Sequence, residues 1–234
     1  MSSYFTRSNL QLSSFALVTV GWILSVASMG RMDWRVWHLE EDPSSVISSG
    51  ITWVGIWKVC FYSTILHPPQ EKSGKICHSY IKYATFLPSD FRIIQNIFLF
   101  ACILGAMGKV SITIAMRNFY LGVPRRSAIC NPFIIGGFFY ISAGICILIC
   151  VIWNYHSVFT NQSITFPATF HIPSSPETQE IGGAVSMAIV ATILMLLGGI
   201  FFLSFKGGKH TGILSSNVEI SRSKRKIFKI KEKN

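Results

Sequence analysis

Charge is scarce in this chain. Only 13% of its 234 residues are Asp, Glu, Lys or Arg, against roughly a quarter in an ordinary soluble domain. That deficit, with half of the residues hydrophobic, argues against a water-soluble globule. Catalytic and metal-binding patterns are missing too. The six histidines (His38, His67, His78, His156, His171, His210) are scattered, with no His-x-x-x-His pair, and no Cys-x-x-Cys occurs. Metal sites need such clustered ligands, so no metal, no cofactor and no enzyme activity are expected.

What is present is a set of long apolar runs. A helix needs about 20 mainly apolar residues to cross the hydrocarbon core. Four segments qualify: Leu12–Met29, Ile93–Met116, Phe133–Trp153 and Ile181–Phe205. The first exceeds a signal-peptide core and lacks a clear basic n-region and cleavage site, so it is kept as a helix. The chain then divides into an inner N-terminus (1–11), span one (12–29), a long first loop (30–92), span two (93–116), a short turn (117–132), span three (133–153), a second loop (154–180), span four (181–205) and a basic tail (206–234).

Charge sets the orientation. The net charge of +11 is concentrated from Lys206 to the end, where nine Lys or Arg face only Glu219 and Glu232. A basic tail directly after a span belongs on the cytoplasmic side, drawn to anionic membrane lipid. No aromatic stacking platform accompanies it, so nucleic acid is not expected as a partner. The turn between spans two and three holds Arg117, Arg125 and Arg126 without an acid, while residues 154–180 hold no Lys or Arg. Both termini are therefore expected inside.

The first loop reads as β-structure. Asp33 to His38 and Ile51 to Tyr62 are rich in Trp, Val, Ile and Tyr, which favour strands. Glu40–Ser44 and His67–Gly74 are turn signals. Cys60 and Cys77 are the only cysteines on the extracellular side on this topology, in an oxidising compartment, so they are expected to pair and to staple a hairpin. Pro88-Ser89-Asp90 signals the start of a helix. Strand-like pieces in the second loop (Ser163–Phe166) are broken by Pro167, Pro173 and Pro176.

Small residues in span three (Gly136, Gly137, Ala143, Gly144) and span four (Gly182, Gly183, Gly198, Gly199) allow close helix approach. Cys102, Cys146 and Cys150 read as core thiols. Cys130, beside Arg125 and Arg126, is a candidate palmitoylation site. Lys109 lies within the second apolar stretch and is expected to snorkel to the nearby cytoplasmic surface. Asn161-Gln162-Ser163 is a candidate glycosylation site in a loop expected outside.

Together, Trp34 followed by Gly55-Ile56-Trp57, Cys60 and Cys77 resembles the first-loop signature of the claudin family, with Ile56 replacing Leu. Further matches follow in order: Cys77-His78-Ser79-Tyr80, Leu87-Pro88-Ser89-Asp90, Trp153 at the end of span three, Glu180-Ile181-Gly182-Gly183-Ala184, and Leu197-Gly198-Gly199. The likeness runs from about residue 10 to residue 205. The cysteines are more widely spaced than the family norm, Gln95 stands where Arg is usual, and the second loop is longer.

The resemblance implies an all-α transmembrane four-helix bundle with a small disulfide-stapled extracellular β-sheet. It implies a tight-junction structural protein of the plasma membrane, acting in cell–cell adhesion and as a paracellular barrier or ion channel. It implies association with like or related claudins within one membrane and across to the next, as homo- or hetero-oligomers. It also places His78, one residue past the second loop cysteine, with Lys82 four residues on, as candidate pore-lining residues. The ending Lys231-Glu232-Lys233-Asn234 is not the Tyr-Val type, so PDZ scaffold binding through the C-terminus is not expected. The alternative is a four-span accessory or regulatory subunit, of the channel γ-subunit or epithelial membrane protein type, which shares body and signature. A tetraspanin would need Cys-Cys-Gly in the later loop, and a connexin three cysteines in each outer loop.

Overall fold

The computed structural model describes residues 2–39, 47–63, 74–80, 86–123 and 126–204. Four long helices, α1 (Ser2–Gly30), α2 (Ser89–Tyr120), α3 (Arg126–Phe159) and α4 (Gly183–Leu203), carry one small sheet at one end. Its strands are β1 (Arg35–His38), β2 (Ile47–Val54), β3 (Lys58–Ser63), β4 (Gly74–Ser79) and β5 (Thr178–Ile181). The order is β4-β3-β2-β1-β5, antiparallel at every pairing. All four helices are long and apolar enough to cross a membrane. Ile103, Val110, Ile193 and Ile200 lie about half exposed on their outer faces, a cost in water that vanishes in lipid.

Three helices run past the apolar segments from which they were expected. Helix α1 continues through the expected N-terminal segment, because no Gly or Pro interrupts Ser2 to Val20. Helix α3 begins before Pro132. A proline lacks an N–H and frees the carbonyl four residues earlier. Here that carbonyl, on Ala128, accepts from Asn118 Nδ2 at 2.8 Å, so the helix continues at no cost of an unpaired group. The expected turn 117–132 therefore shrinks to a few residues, and the second loop begins only after Phe159. Helix α4 is shorter than expected, because residues 178–181 join the sheet as β5.

Two strand expectations need correction. Ile51 to Tyr62 is two strands, split at Gly55-Ile56-Trp57. Ser163–Phe166 is irregular chain, and the second loop's strand is instead Thr178–Ile181. Ile164 and Phe166 alternate with polar neighbours because they bury into a cluster beneath the sheet, and alternation alone does not demand a pairing partner. The turn signals at Glu40–Ser44 and His67–Gly74 lie outside the described residues, except for Gly74 at the start of β4.

Small residues close the bundle. A Cβ on Gly137 would meet Gly199 O at 3.0 Å, and one on Gly198 would meet the Val18 side chain at 2.3 Å. Between apolar helices in lipid there is no hydrophobic drive, so such close packing and interhelical hydrogen bonds hold them. Examples are Trp22 Nε1 to Cys102 O at 3.0 Å, Ser28 Oγ to Ala184 O at 2.8 Å and Ser111 Oγ to Pro132 O at 2.8 Å.

Candidate functional site

The sheet has two unlike faces, set by the period-two alternation of strands. Arg35, Trp37, Thr52, Val54, Val59 and Phe61 point toward the bundle and are buried. The outward face carries Val36, Trp53, Tyr62, Lys75 and the Cys60–Cys77 bond. The two cysteines are direct cross-strand partners on β3 and β4, with Cα atoms 4.1 Å apart. On the same face the Lys75 ammonium sits 4.8 Å above the Trp53 ring, which meets Tyr62 edge-on. His38 and Glu180 pair at 3.6 Å toward the β5 edge.

The signature residues anchor this sheet to the membrane bundle. Trp34 is fully buried, donates from Nε1 to Ser28 O at 2.9 Å and meets the Phe98 ring edge-on. Gly55-Ile56-Trp57 is the turn between β2 and β3. A Cβ on Gly55 would lie 2.7 Å from Arg31 O, so only glycine lets the turn press against the end of α1. Ile56 drives into the bundle core. Its carbonyl accepts from Gln95 Nε2 at 2.8 Å, which gives the Gln at the usual Arg position a defined task.

A buried polar layer ties sheet, helices and second loop together. Arg35 has no solvent exposure; its Nε donates to Asn154 Oδ1 at 2.8 Å and its guanidinium lies 4.4 Å from the centre of the Phe91 ring. Burial pulls the Arg35 guanidinium down to about 10, opposed by Tyr80 and Asp90. Burial likewise pushes the Tyr80 phenol up. Asp90 Oδ2 accepts from Gln162 Nε2 at 3.0 Å, and Gln162 O accepts from Gln179 Nε2 at 3.2 Å. At the mouth of α4, burial raises the Asp33 carboxyl, but Arg31, bonded at 2.7 Å through Nε, outweighs this and holds it below the ordinary range.

The second loop also covers the sheet with aromatic rings. Phe166 packs edge-on against Trp37 at 5.5 Å. Phe170, in a short 3-10 turn (Ala168–Phe170), stacks on His78 at 4.4 Å with 13° between the rings. On its other side His78 lies 6.0 Å from Phe61. The imidazole is thus held half-buried at the β4 edge between the two loops. Lys82 lies outside the described residues. Asn161 is exposed in the turn that follows α3, with a left-handed backbone. Cys130 is half-buried in the second turn of α3. Among the described residues, no three His, Cys, Asp or Glu side chains gather where a metal could sit.

Sequence reasoning missed Arg35, Asn154, Phe166 and Phe170 as organising residues. An Arg between Trp34 and Val36 in a strand, and two phenylalanines four apart amid prolines, were the available signals.

These features define a four-span membrane protein with a disulfide-stapled first-loop sheet completed by a strand from the second loop. The family described as PMP-22/EMP/MP20/Claudin tight junction matches residues 19–204, and the chain belongs to it. Similar proteins include Claudin-4 of Homo sapiens, 23% identical over 192 residues (81% of this chain, 83% of that protein). Claudin-3 of Mus musculus is 24% identical over 193 residues (81% and 79%). Claudin-7 of Mus musculus is 22% identical over 195 residues (82% and 84%). Membership places the chain in the plasma membrane at the tight junction, with its sheet extracellular.

Proposed function

We propose that this chain is a structural protein of the tight junction that joins neighbouring cells and sets a paracellular barrier or ion path. One observation carries the reading. The first-loop sheet and the second loop form a single platform, joined by the β1–β5 pairing and the His78–Phe170 stack. Adhesion between two membranes needs such a rigid surface on a rigid anchor. Its partners are like or related claudins, alongside it and opposite it. Expression in fibroblasts without junctions, followed by freeze-fracture imaging, tests this: strands are expected. Their absence would favour the accessory-subunit reading.

In this proposal the termini and the 121–125 turn face the cytoplasm. A tag after Asn234 should then stain only permeabilised cells. Cys130, near the inner surface, is proposed as a palmitoylation site and Asn161, on the outer surface, as a glycosylation site. His78 and Lys82 line the water path, and the fixed positive charge of Lys82 favours anions, since such charge at a constriction repels cations. Dilution potentials across a monolayer should shift toward cations in Lys82→Gln; an unchanged ratio removes Lys82 from the path.

A further inference from the structure

Lys109 is a charge in an apolar helix that meets no carboxylate among the described residues. It follows nineteen residues after Asp90, the one acid in the four helices, which is ~28 Å away along α2. Every other Asp or Glu of the sequence lies in the first loop, the second loop or the tail. A charged residue inside a span is costly and is normally met by a partner. Here the ammonium has a hydroxyl and a ring instead. Nζ donates to Thr19 Oγ1 and lies 4.1 Å from the centre of the Phe15 ring, both on α1.

Snorkelling does not relieve it. Side chains leave a helix tilted toward its N-terminus, and α2 runs away from the sheet, so Lys109 starts out pointing deeper. Thr19 lies about 16 Å from the sheet end of α1 at Gly30 and about 14 Å from Leu10. The ammonium is thus held near mid-depth of a ~30 Å hydrocarbon core, out of ready reach of a lipid headgroup. It also stands at the most sparsely packed seam between neighbouring helices. Helix α1 packs along α4 and α2 along α3, whereas α1 and α2 touch sparsely. Lys109 is half-buried, and Thr113, one turn on along the same face of α2, is exposed.

We propose that Lys109 and the α1–α2 seam form a docking site for a transmembrane helix of a different protein that carries a carboxylate at matching depth. A second copy of this chain does not fit, because its spans hold no acid at that level. The contact lies within the membrane, away from the sheet, and is independent of junctional adhesion.

The test uses the full chain and a Leu-rich single-span helix as probe, co-expressed and read by energy transfer. One probe carries a Glu at mid-depth, a second carries Gln there, and a third has the Glu moved to the membrane surface. The mid-depth Glu probe should associate about tenfold more strongly than the Gln probe, the scale of interhelical polar contacts in model spans. Lys109→Met should remove the preference and Lys109→Arg should keep it. Equal transfer from all three probes to the wild-type chain overturns the proposal, and this comparison decides even if Lys109→Met fails to fold. Thermal stabilisation of the purified chain by phosphatidylserine nanodiscs, lost in Lys109→Met and without any Glu-probe preference, also overturns it and assigns the site to lipid.

Discussion

Arg35 and Asn154 meet 2.8 Å apart at the junction of sheet and bundle, both out of contact with water. Arg35 comes from β1 and Asn154 from the end of α3, 119 residues later. A buried charge is tolerated only while its partners remain, and removing one partner costs more than replacing both. Asn154→Leu should therefore lower stability by about 2 kcal/mol, the scale of a hydrogen bond to a charged group. The double variant Arg35→Met, Asn154→Leu should recover part of that loss. Thermal unfolding in detergent measures both. A double variant whose loss equals the sum of the two single losses would show that the pair does not act as a unit.

Cys60 and Cys77 close a loop of seventeen residues between paired strands. On the chain-entropy argument, removing that staple costs about 3 kcal/mol. Cys60→Ser with Cys77→Ser should lower the unfolding temperature of the outer domain and raise proteolysis of the first loop. The helices should still insert, since their hydrogen bonds are internal. Limited proteolysis of intact cells, read by mass, distinguishes a loosened loop from a chain that never reaches the surface.

The bundle was legible because twenty apolar residues in a row have few alternatives in water or lipid. The cysteine pairing was legible because only two cysteines lie on the extracellular side. The helix ends were not: Asn154 and Ser157 look like loop residues but are buried in the last turns of α3. Strand β5 was also hidden. Thr178–Ile181 has no apolar alternation, and it is a strand because the free edge of β1 takes its backbone. Ser163–Phe166 shows the converse, an alternating segment buried by its side chains alone. His78 was placed by family position; that a ring of the second loop stacks on it depended on a contact ninety-two residues away, which no local pattern reports.

Gly182 is the tightest approach in the outer half. A Cβ there would lie 1.9 Å from Asp33 O, a backbone atom that cannot swing aside. Gly182 N also donates to Trp34 O at 3.1 Å, so the strand cannot retreat without losing that bond. Gly182→Ala should cost about 3 kcal/mol or more, the upper range for overpacking. It should also unpair β5 from β1. Hydrogen exchange at Gln179 to Ile181 would rise in the variant. Unchanged protection there would show that the close approach relaxes cheaply.

Asp33 gives the outer domain a dependence on acid. Its backbone carbonyl accepts from Ala184 N at 3.2 Å, and its carboxylate stands by the first residues of α4, where the helix dipole favours negative charge. Arg31 holds the other side at 2.7 Å. The folded-state pKa lies below its ordinary value. A carboxyl depressed on folding contributes stability that is fully present above its unfolded pKa, about 3.9, and is lost as pH falls through the lower folded pKa. The contribution should thus be constant from neutral pH down to the ordinary carboxylate range and then fade. Arg31 is nearly half exposed, so the ion pair adds little of it and screens with salt. Asp33→Asn should be less stable than the wild type at neutral pH, with the two converging in strong acid. Unfolding temperatures of the pair from neutral pH down into strong acid measure this. A difference that stays constant to the acid end would mean that the carboxyl's shape, and not its charge, matters at this position.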